Sequence, residues 1–258
     1  MKNYFLTFFL LVSSGMAQTP FRRLIDLTHS FSDQTIYWPT EEGFRLRVQA
    51  EGVTEKGYYY AANSFCAAEH GGTHIDAPIH FAQGKATVDQ IPLERLIAPG
   101  IVVDIRHRTA KDRDYLVSIQ DLTGWEEKNG RIPDHTIVML RTGWGEFYPD
   151  RQKYLGTDRR GSGAIADLHF PGLDPAAARW LVENRRLAAI GLDTPSIDRG
   201  QSRFFESHQI LSQAGMPAFE NVAGLEQLPE KDFQVIALPM KIQGGSGGPL
   251  RIVAVLGR

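Results

Sequence analysis

The chain has a single cysteine, Cys66. That excludes an intramolecular disulfide and any zinc site built from several thiolates. In an exported chain a lone cysteine with strand-like neighbours, Asn63 to Ala68, is expected in the core. Charge of one sign is also missing. The net charge is −2 with Lys and Arg scattered, so neither a nucleic-acid groove nor a polybasic membrane patch is expected. Several signatures are absent: no His-Glu-x-x-His, no Rossmann glycine fingerprint, and no Lys-Ser/Thr pair after the glycine-rich run Gly244–Pro249. That run matches Gly-x-Ser-x-Gly around Ser246, but no His, Asp or Glu follows it. A nucleophile elbow needs both partners after the serine, so a hairpin connection or a pocket lining is expected instead.

Long apolar runs are scarce too. Lys2 followed by the apolar stretch Phe5 to Val12 and the small residues Ser13 to Ala17 reads as a signal peptide, residues 1–17. The stretch is short for a membrane span and no second one follows. Export to the periplasm or medium is expected, with no membrane attachment after cleavage. The whole chain is ordinary in composition, 42% apolar and 22% charged, which suffices for a sizeable core in residues 18–258.

Strand patterns fall at Leu24–Thr28, Phe44–Ala50, Tyr58–Cys66, Ile101–Ile105, Thr136–Arg141, Ala188–Asp193, Gln234–Leu238 and Leu250–Leu256. A single helical turn is expected at Ile91–Leu96. Ser118 with Asp121 has capping-box character and opens a helix ending near Asn129-Gly130. Asp174-Pro175 is an N-cap followed by N1 of a helix reaching about Arg186, and Ser207 to Gln213 forms a shorter one. Trp144 to Phe170 lacks a period, and a loop of that length is usually functional, often a lid. No repeat or linker interrupts the chain. Together these predict one α/β domain with a mixed sheet flanked by helices.

The densest chemistry is the run His70-Gly-Gly-Thr-His74-Ile-Asp76-Ala-Pro-Ile-His80. Imidazole and carboxylate are the usual ligands of zinc, manganese or iron in water-activating sites. Gly71-Gly72 and Pro78 argue against a helix, and on an extended segment His74 and Asp76 face the same side. A glycine-hinged loop running into a short extended run is expected, with its four polar side chains converging. Such a half-site needs one or two more ligands. His208 and Glu220 are the best remaining candidates by residue type, although spacing alone leaves that pairing open. Trp38-Pro39 reads as an exposed turn whose indole either floors a pocket or simply packs. His29, His107, His135 and His169 have no second histidine nearby and are expected to be structural or at the surface.

His70-x-Gly72-Thr73-His74-x-Asp76-x-Pro78-x-His80 resembles the signature of the metal-dependent cyclase superfamily, which includes bacterial kynurenine formamidases and isatin hydrolases. The resemblance extends to Trp38-Pro39, to Gly191–Asp198, to His208 with Glu220-Asn221, and to Pro249-Leu250-Arg251. It implies a swivelling β/β/α type of fold, usually dimeric or higher. It also implies one or two divalent ions, zinc or manganese, held by His70, His74, Asp76, His208 and Glu220. His80 would be the proton donor and acceptor, and Trp38 would contact an aryl substrate. The implied activity is hydrolysis of the amide C–N bond of a small aryl formamide or cyclic amide. A lactam, lactone or isatin-type hydrolase, or a binding protein that kept the site without turnover, are the alternatives.

Overall fold

The computed structural model describes residues 23–257, so the expected signal peptide lies outside the described residues. Among the described residues there are twelve strands: β1 (Arg23–Asp26), β2 (Arg45–Val53), β3 (Tyr59–Cys66), β4 (His74–Asp76), β5 (Ile97–Asp104), β6 (Leu116–Val117), β7 (Ile137–Arg141), β8 (Gly172–Leu173), β9 (Ala189–Leu192), β10 (Ala218–Glu220), β11 (Phe233–Pro239) and β12 (Gly247–Leu256). The helices are α1 (Leu93–Leu96), α2 (Arg106–Thr109), α3 (Ile119–Asn129), α4 (Arg151–Leu155), α5 (Pro175–Asn184) and α6 (Glu206–Gln213).

Eight strands form one mixed sheet in the order β1-β12-β11-β5-β7-β9-β10-β4. β5, β7, β9 and β10 run parallel, and the remaining pairings are antiparallel. Strand β12 is long enough to pair with β11 along most of its length and with β4 through Gly247–Pro249. This second pairing closes the sheet into a barrel-like ring, with β1 attached outside it on β12.

The apolar runs of β5, β7 and β9 are continuous because these strands are buried on both faces. Val102, Ile137, Met139 and Ala189 point into one core with Ile75 and Phe219. The alternating Ile101, Val103, Val138, Leu140, Ile190 and Leu192 pack beneath Leu122 and Trp125 of α3, Ala177 and Leu181 of α5, and Leu211 of α6. Helix α3 starts at the expected capping box, with Ser118 and Asp121 bonded reciprocally, and stops at Gly130, whose φ is 88°. Asp174 caps α5, accepting from the Ala176 amide.

Two expectations change. Cys66 is exposed rather than buried. It lies at the end of the β2–β3 hairpin, whose strands pair with each other as a separate ribbon and leave Leu46, Val48, Tyr59 and Phe65 exposed. The alternation in these strands is therefore real, but neither face reaches the core. The stretch Trp144 to Phe170 is not a free lid. Trp144, Tyr154, Leu155, Leu168 and Phe170 are buried with Ile36 in a third apolar cluster. Its irregular period reflects α4 and short 3₁₀ turns rather than a lack of packing. Among the described residues no helix is long and apolar enough to cross a membrane.

Candidate metal centre

The site is assembled by strand register. Antiparallel pairing of β4 with β10 places Glu220 opposite His74 and Ala218 opposite Asp76. Because side chains alternate along a strand, Ile75 and Phe219 enter the core while His74, Asp76 and Glu220 emerge together on the other face. Ahead of β4 the chain turns tightly. A Cβ on Gly71 would lie 2.1 Å from the Tyr37 ring, and Gly72 adopts φ +56°. The glycine pair thus serves close packing at the first position and a left-handed backbone at the second. After β4, Pro78 opens a single 3₁₀ turn that carries His80.

His208 arrives from the first turn of α6. Both Asp198 oxygens serve that turn: Oδ1 accepts from the Ser207 amide at 3.2 Å, and Oδ2 accepts from the His208 amide at 3.1 Å and meets His208 Nδ1 at 2.6 Å. A carboxylate at a helix N-terminus is favourable on its own account, and here it also orients a histidine.

Two overlapping triads result, His70–His74–Asp76 and Asp76–His208–Glu220. Asp76 Oδ1 is 2.7 Å from His70 Nδ1 and 3.2 Å from His74 Nε2, while Oδ2 is 3.1 Å from His208 Nε2. Glu220 Oε1 is 3.1 Å from His208 Nε2 and accepts from the Ile197 amide at 2.7 Å. All five site residues expected as ligands are therefore in one place, and all but half-buried His70 are buried. Asp198, which orients His208, is not among the site residues expected from the sequence. The available signal was an acid ten residues before His208, ahead of a helix start.

The donor set fits a divalent cation on the evidence of its hydrogen-bond pattern. His74 Nδ1 lies 3.0 Å from the Gly72 carbonyl, which can only accept, so that nitrogen carries the hydrogen. The bare Nε2 then faces two carboxylates and has no hydrogen-bond partner despite being buried. His208 repeats the pattern, with Nδ1 given to Asp198 and Nε2 aimed at Asp76 and Glu220. Lone pairs and carboxylate oxygens converging at about 3 Å repel unless positive charge sits between them. Without an ion, protons take that place. Burial opposes charge on His208, but hydrogen bonds to Asp198, Asp76 and Glu220 raise its pKa well above the ordinary value. Burial and the Asp76 charge push Glu220 up. Burial likewise opposes ionised Asp76, yet His70, His208 and His74 hold its carboxyl well below the usual range.

His80 belongs to neither triad. Its ring stacks on His70 at 3.8 Å, and burial pushes its pKa down to about 4, so it is neutral at pH 7. It opens onto a cavity of about 360 Å³ lined by the triad residues and by Trp38, Phe81 and Phe205. Trp38 is half-buried in this wall, edge-on to Phe205 at 6.1 Å and to Phe170 at 6.4 Å, while Pro39 is buried beside it. Phe170, one of the buried residues of the segment from Trp144 to Phe170, thus backs the aromatic wall. The other histidines lie outside this cavity. His29 stacks on Tyr148 at 3.7 Å and His169 pairs with Asp114 at 2.6 Å.

A barrel-like mixed sheet that brings three imidazoles and two carboxylates to the floor of an aromatic cavity defines a metal-site α/β protein of the hydrolase type. The chain belongs to the Cyclase family, whose family model matches residues 25–199. It is 32% identical over 208 residues to the isatin hydrolase of Roseibium aggregatum, covering 78% of this chain and 76% of that protein. It is 30% identical over 191 residues to the kynurenine formamidase of Polaromonas naphthalenivorans, covering 74% and 73%. The structure of isatin hydrolase A from Labrenzia aggregata bound to benzyl benzoate matches with a TM-score of 0.82 at 31% identity, covering 92% of this chain and 94% of that one.

Proposed function

We propose that this protein is a metal-dependent hydrolase that cleaves the amide C–N bond of a small aryl substrate, either a cyclic amide of the isatin type or an aryl formamide. One observation carries the reading: the two triads form the floor of a cavity whose walls are Trp38, Phe81 and Phe205, so a flat aryl group and its carbonyl fit side by side. Similarity to an isatin hydrolase and to a kynurenine formamidase supports the same bond type.

His70, His74, Asp76, His208 and Glu220 hold one or two divalent ions, zinc or manganese, since a mixed His and carboxylate set accepts either. When bound, such an ion supplies Lewis acidity, lowering the pKa of a water and polarising a carbonyl. The protein's own groups do the rest. The aromatic wall positions the aryl ring and excludes bulk water. His80, neutral and facing the cavity, takes a proton from the attacking water and returns it to the departing nitrogen as the C–N bond breaks. The products are a carboxylate and an amine, joined in one molecule if the amide was cyclic.

His80→Ala tests this reading. Hydrolysis of isatin and of N-formylkynurenine, followed by absorbance, is expected to fall by 10²–10⁴-fold. Bound metal, measured by elemental analysis, is expected to stay at the wild-type level. Wild-type turnover in that variant, or no hydrolysis of either substrate by metal-loaded wild-type protein, overturns it.

The exposed ribbon of β2 and β3 supports a homodimer, because an isolated hairpin is marginal in water and Leu46, Val48, Tyr59 and Phe65 offer an apolar surface to a second copy. The start of the chain supports export to the periplasm or medium.

A further inference from the structure

The glycine-rich connection before β12 has no part in the chemistry above, yet it reaches the metal centre. Ser246 Oγ lies 2.8 Å from His70 Nε2. The same hydroxyl donates to Glu69 Oε2 at 2.7 Å, and the Ser246 amide donates to that oxygen at 2.9 Å. Its neighbours permit this approach. A Cβ on Gly245 would stand 2.7 Å from Glu69 Oε1, and one on Gly247 would stand 2.5 Å from His70 Cε1. The Ala77 amide donates to the Ser246 carbonyl at 2.9 Å, fixing the loop against the end of β4.

The proton count then places one hydrogen of His70. A serine hydroxyl has one hydrogen, and here it goes to the Glu69 carboxylate. Ser246 Oγ can therefore only accept from His70, which places the imidazole hydrogen on Nε2. Nδ1 then faces Asp76 Oδ1 at 2.7 Å: without an ion a second hydrogen shared with that carboxylate fills the gap, and in the neutral ring its lone pair is the one free to meet a cation. Without the clamp the other tautomer is favoured. Nδ1–H would donate to the Asp76 carboxylate in a strong charge-assisted bond and close the coordination position.

We propose that Glu69 and Ser246 are positioning residues that hold His70 in its metal-accepting tautomer. This rests on the reading that the His70–His74–Asp76 triad holds a divalent ion. His74 and His208 already have outer acceptors, the Gly72 carbonyl and Asp198. With Ser246 and Glu69, all three imidazoles are oriented from behind by an acceptor, the usual arrangement around metal-bound histidines. The two glycines beside Ser246 are thus explained by what they let through, Glu69 on one side and His70 on the other.

The test is zinc affinity of the full chain, by competition with a chromogenic chelator, for wild type, Ser246→Ala, Glu69→Ala and the double variant. Ser246→Ala is expected to weaken zinc about 10- to 100-fold, with a smaller loss in Glu69→Ala. The double variant is expected to lose no more than Ser246→Ala alone, because Glu69 acts through Ser246. Long-range ¹H–¹⁵N spectra of ¹⁵N-histidine protein are expected to show His70 protonated at Nε2 in wild type and a shift toward Nδ1 in the Ser246→Ala variant. Wild-type zinc affinity in Ser246→Ala, fully additive losses, or an unchanged His70 tautomer overturns the clamp. If Ser246→Ala does not fold by circular dichroism, Glu69→Ala carries the test, and wild-type affinity together with an unchanged tautomer in that variant overturns the proposal. Absence of zinc binding by wild-type protein instead refutes the metal reading on which the proposal rests.

Discussion

Substitution of Asp76 by asparagine isolates the one residue common to both triads. The shape is kept and one negative charge is lost. The new amide nitrogen replaces one carboxylate oxygen only, so it can donate to one of the two facing Nε2 atoms, His74 at 3.2 Å or His208 at 3.1 Å, while the remaining oxygen accepts from the other when that imidazole is protonated. The effect on a bound cation is large. A unit charge pair at about 4 Å with an effective dielectric of about 20 is worth about 4 kcal/mol, or about three decades in affinity at 1.4 kcal/mol each. A divalent ion makes that a floor. Asp76→Asn is therefore expected to weaken every ion the centre holds by at least about a thousandfold. Glu220→Gln alters one triad only and is expected to leave an ion on His70, His74 and Asp76. Elemental analysis after dialysis against buffered zinc gives the stoichiometry, and chelator competition gives the affinity. Wild-type occupancy and affinity in the Asp76→Asn protein would falsify the shared-carboxylate assignment.

Asp198→Asn keeps a helix-capping oxygen but withdraws the carboxylate behind His208 Nδ1, so zinc affinity is expected to drop about 10- to 100-fold in the same competition assay, and no change would refute the orienting role. Gly71→Ala drives a methyl into the buried Tyr37 ring and is expected to cost about 1–3 kcal/mol, seen as a lowered Tm; an unshifted melting curve would contradict the close-packing explanation. Burial opposes ionised Asp104, but Arg106 and Arg141 hold its pKa down to about 2. A depressed carboxyl stabilises the fold above its unfolded value of 3.8, and that contribution is lost as pH falls toward about 2. With the partly exposed Arg106 discounted for screening, Asp104→Asn is expected to cost roughly 1–2 kcal/mol at pH 7 and progressively less below pH 4. Urea unfolding at both pH values checks this, and an equal cost at pH 7 and pH 2 would refute it.

What the sequence made legible was mostly local. The buried strands β5, β7 and β9 follow from apolar runs, and α3 and α5 from their caps, because each signal sits in adjacent residues. His74 and Asp76 were readable as neighbours on one side by the two-residue step along a strand. Adding His208 and Glu220 needed the family resemblance, since their proximity is set by the β4–β10 register, which no spacing reveals. Asp198, Glu69 and Ser246 went unassigned for the same reason: each acts through a side chain from a distant segment. Cys66 shows the opposite failure. Its neighbourhood reads as an ordinary strand, and only the tertiary arrangement shows that the β2–β3 ribbon stands away from the core.

The closure of the sheet by β4 bears on the order of folding. This three-residue strand is held between β10 and the start of β12, both contributed from far along the chain. Such contacts carry a high loop-closure cost and are slow to form. All five candidate ligands precede β12, but the ring that holds β4 in register is complete only when that strand has docked. Removal of β12 is then expected to weaken the fold and the site together, because this one strand pairs with β1, β11 and β4.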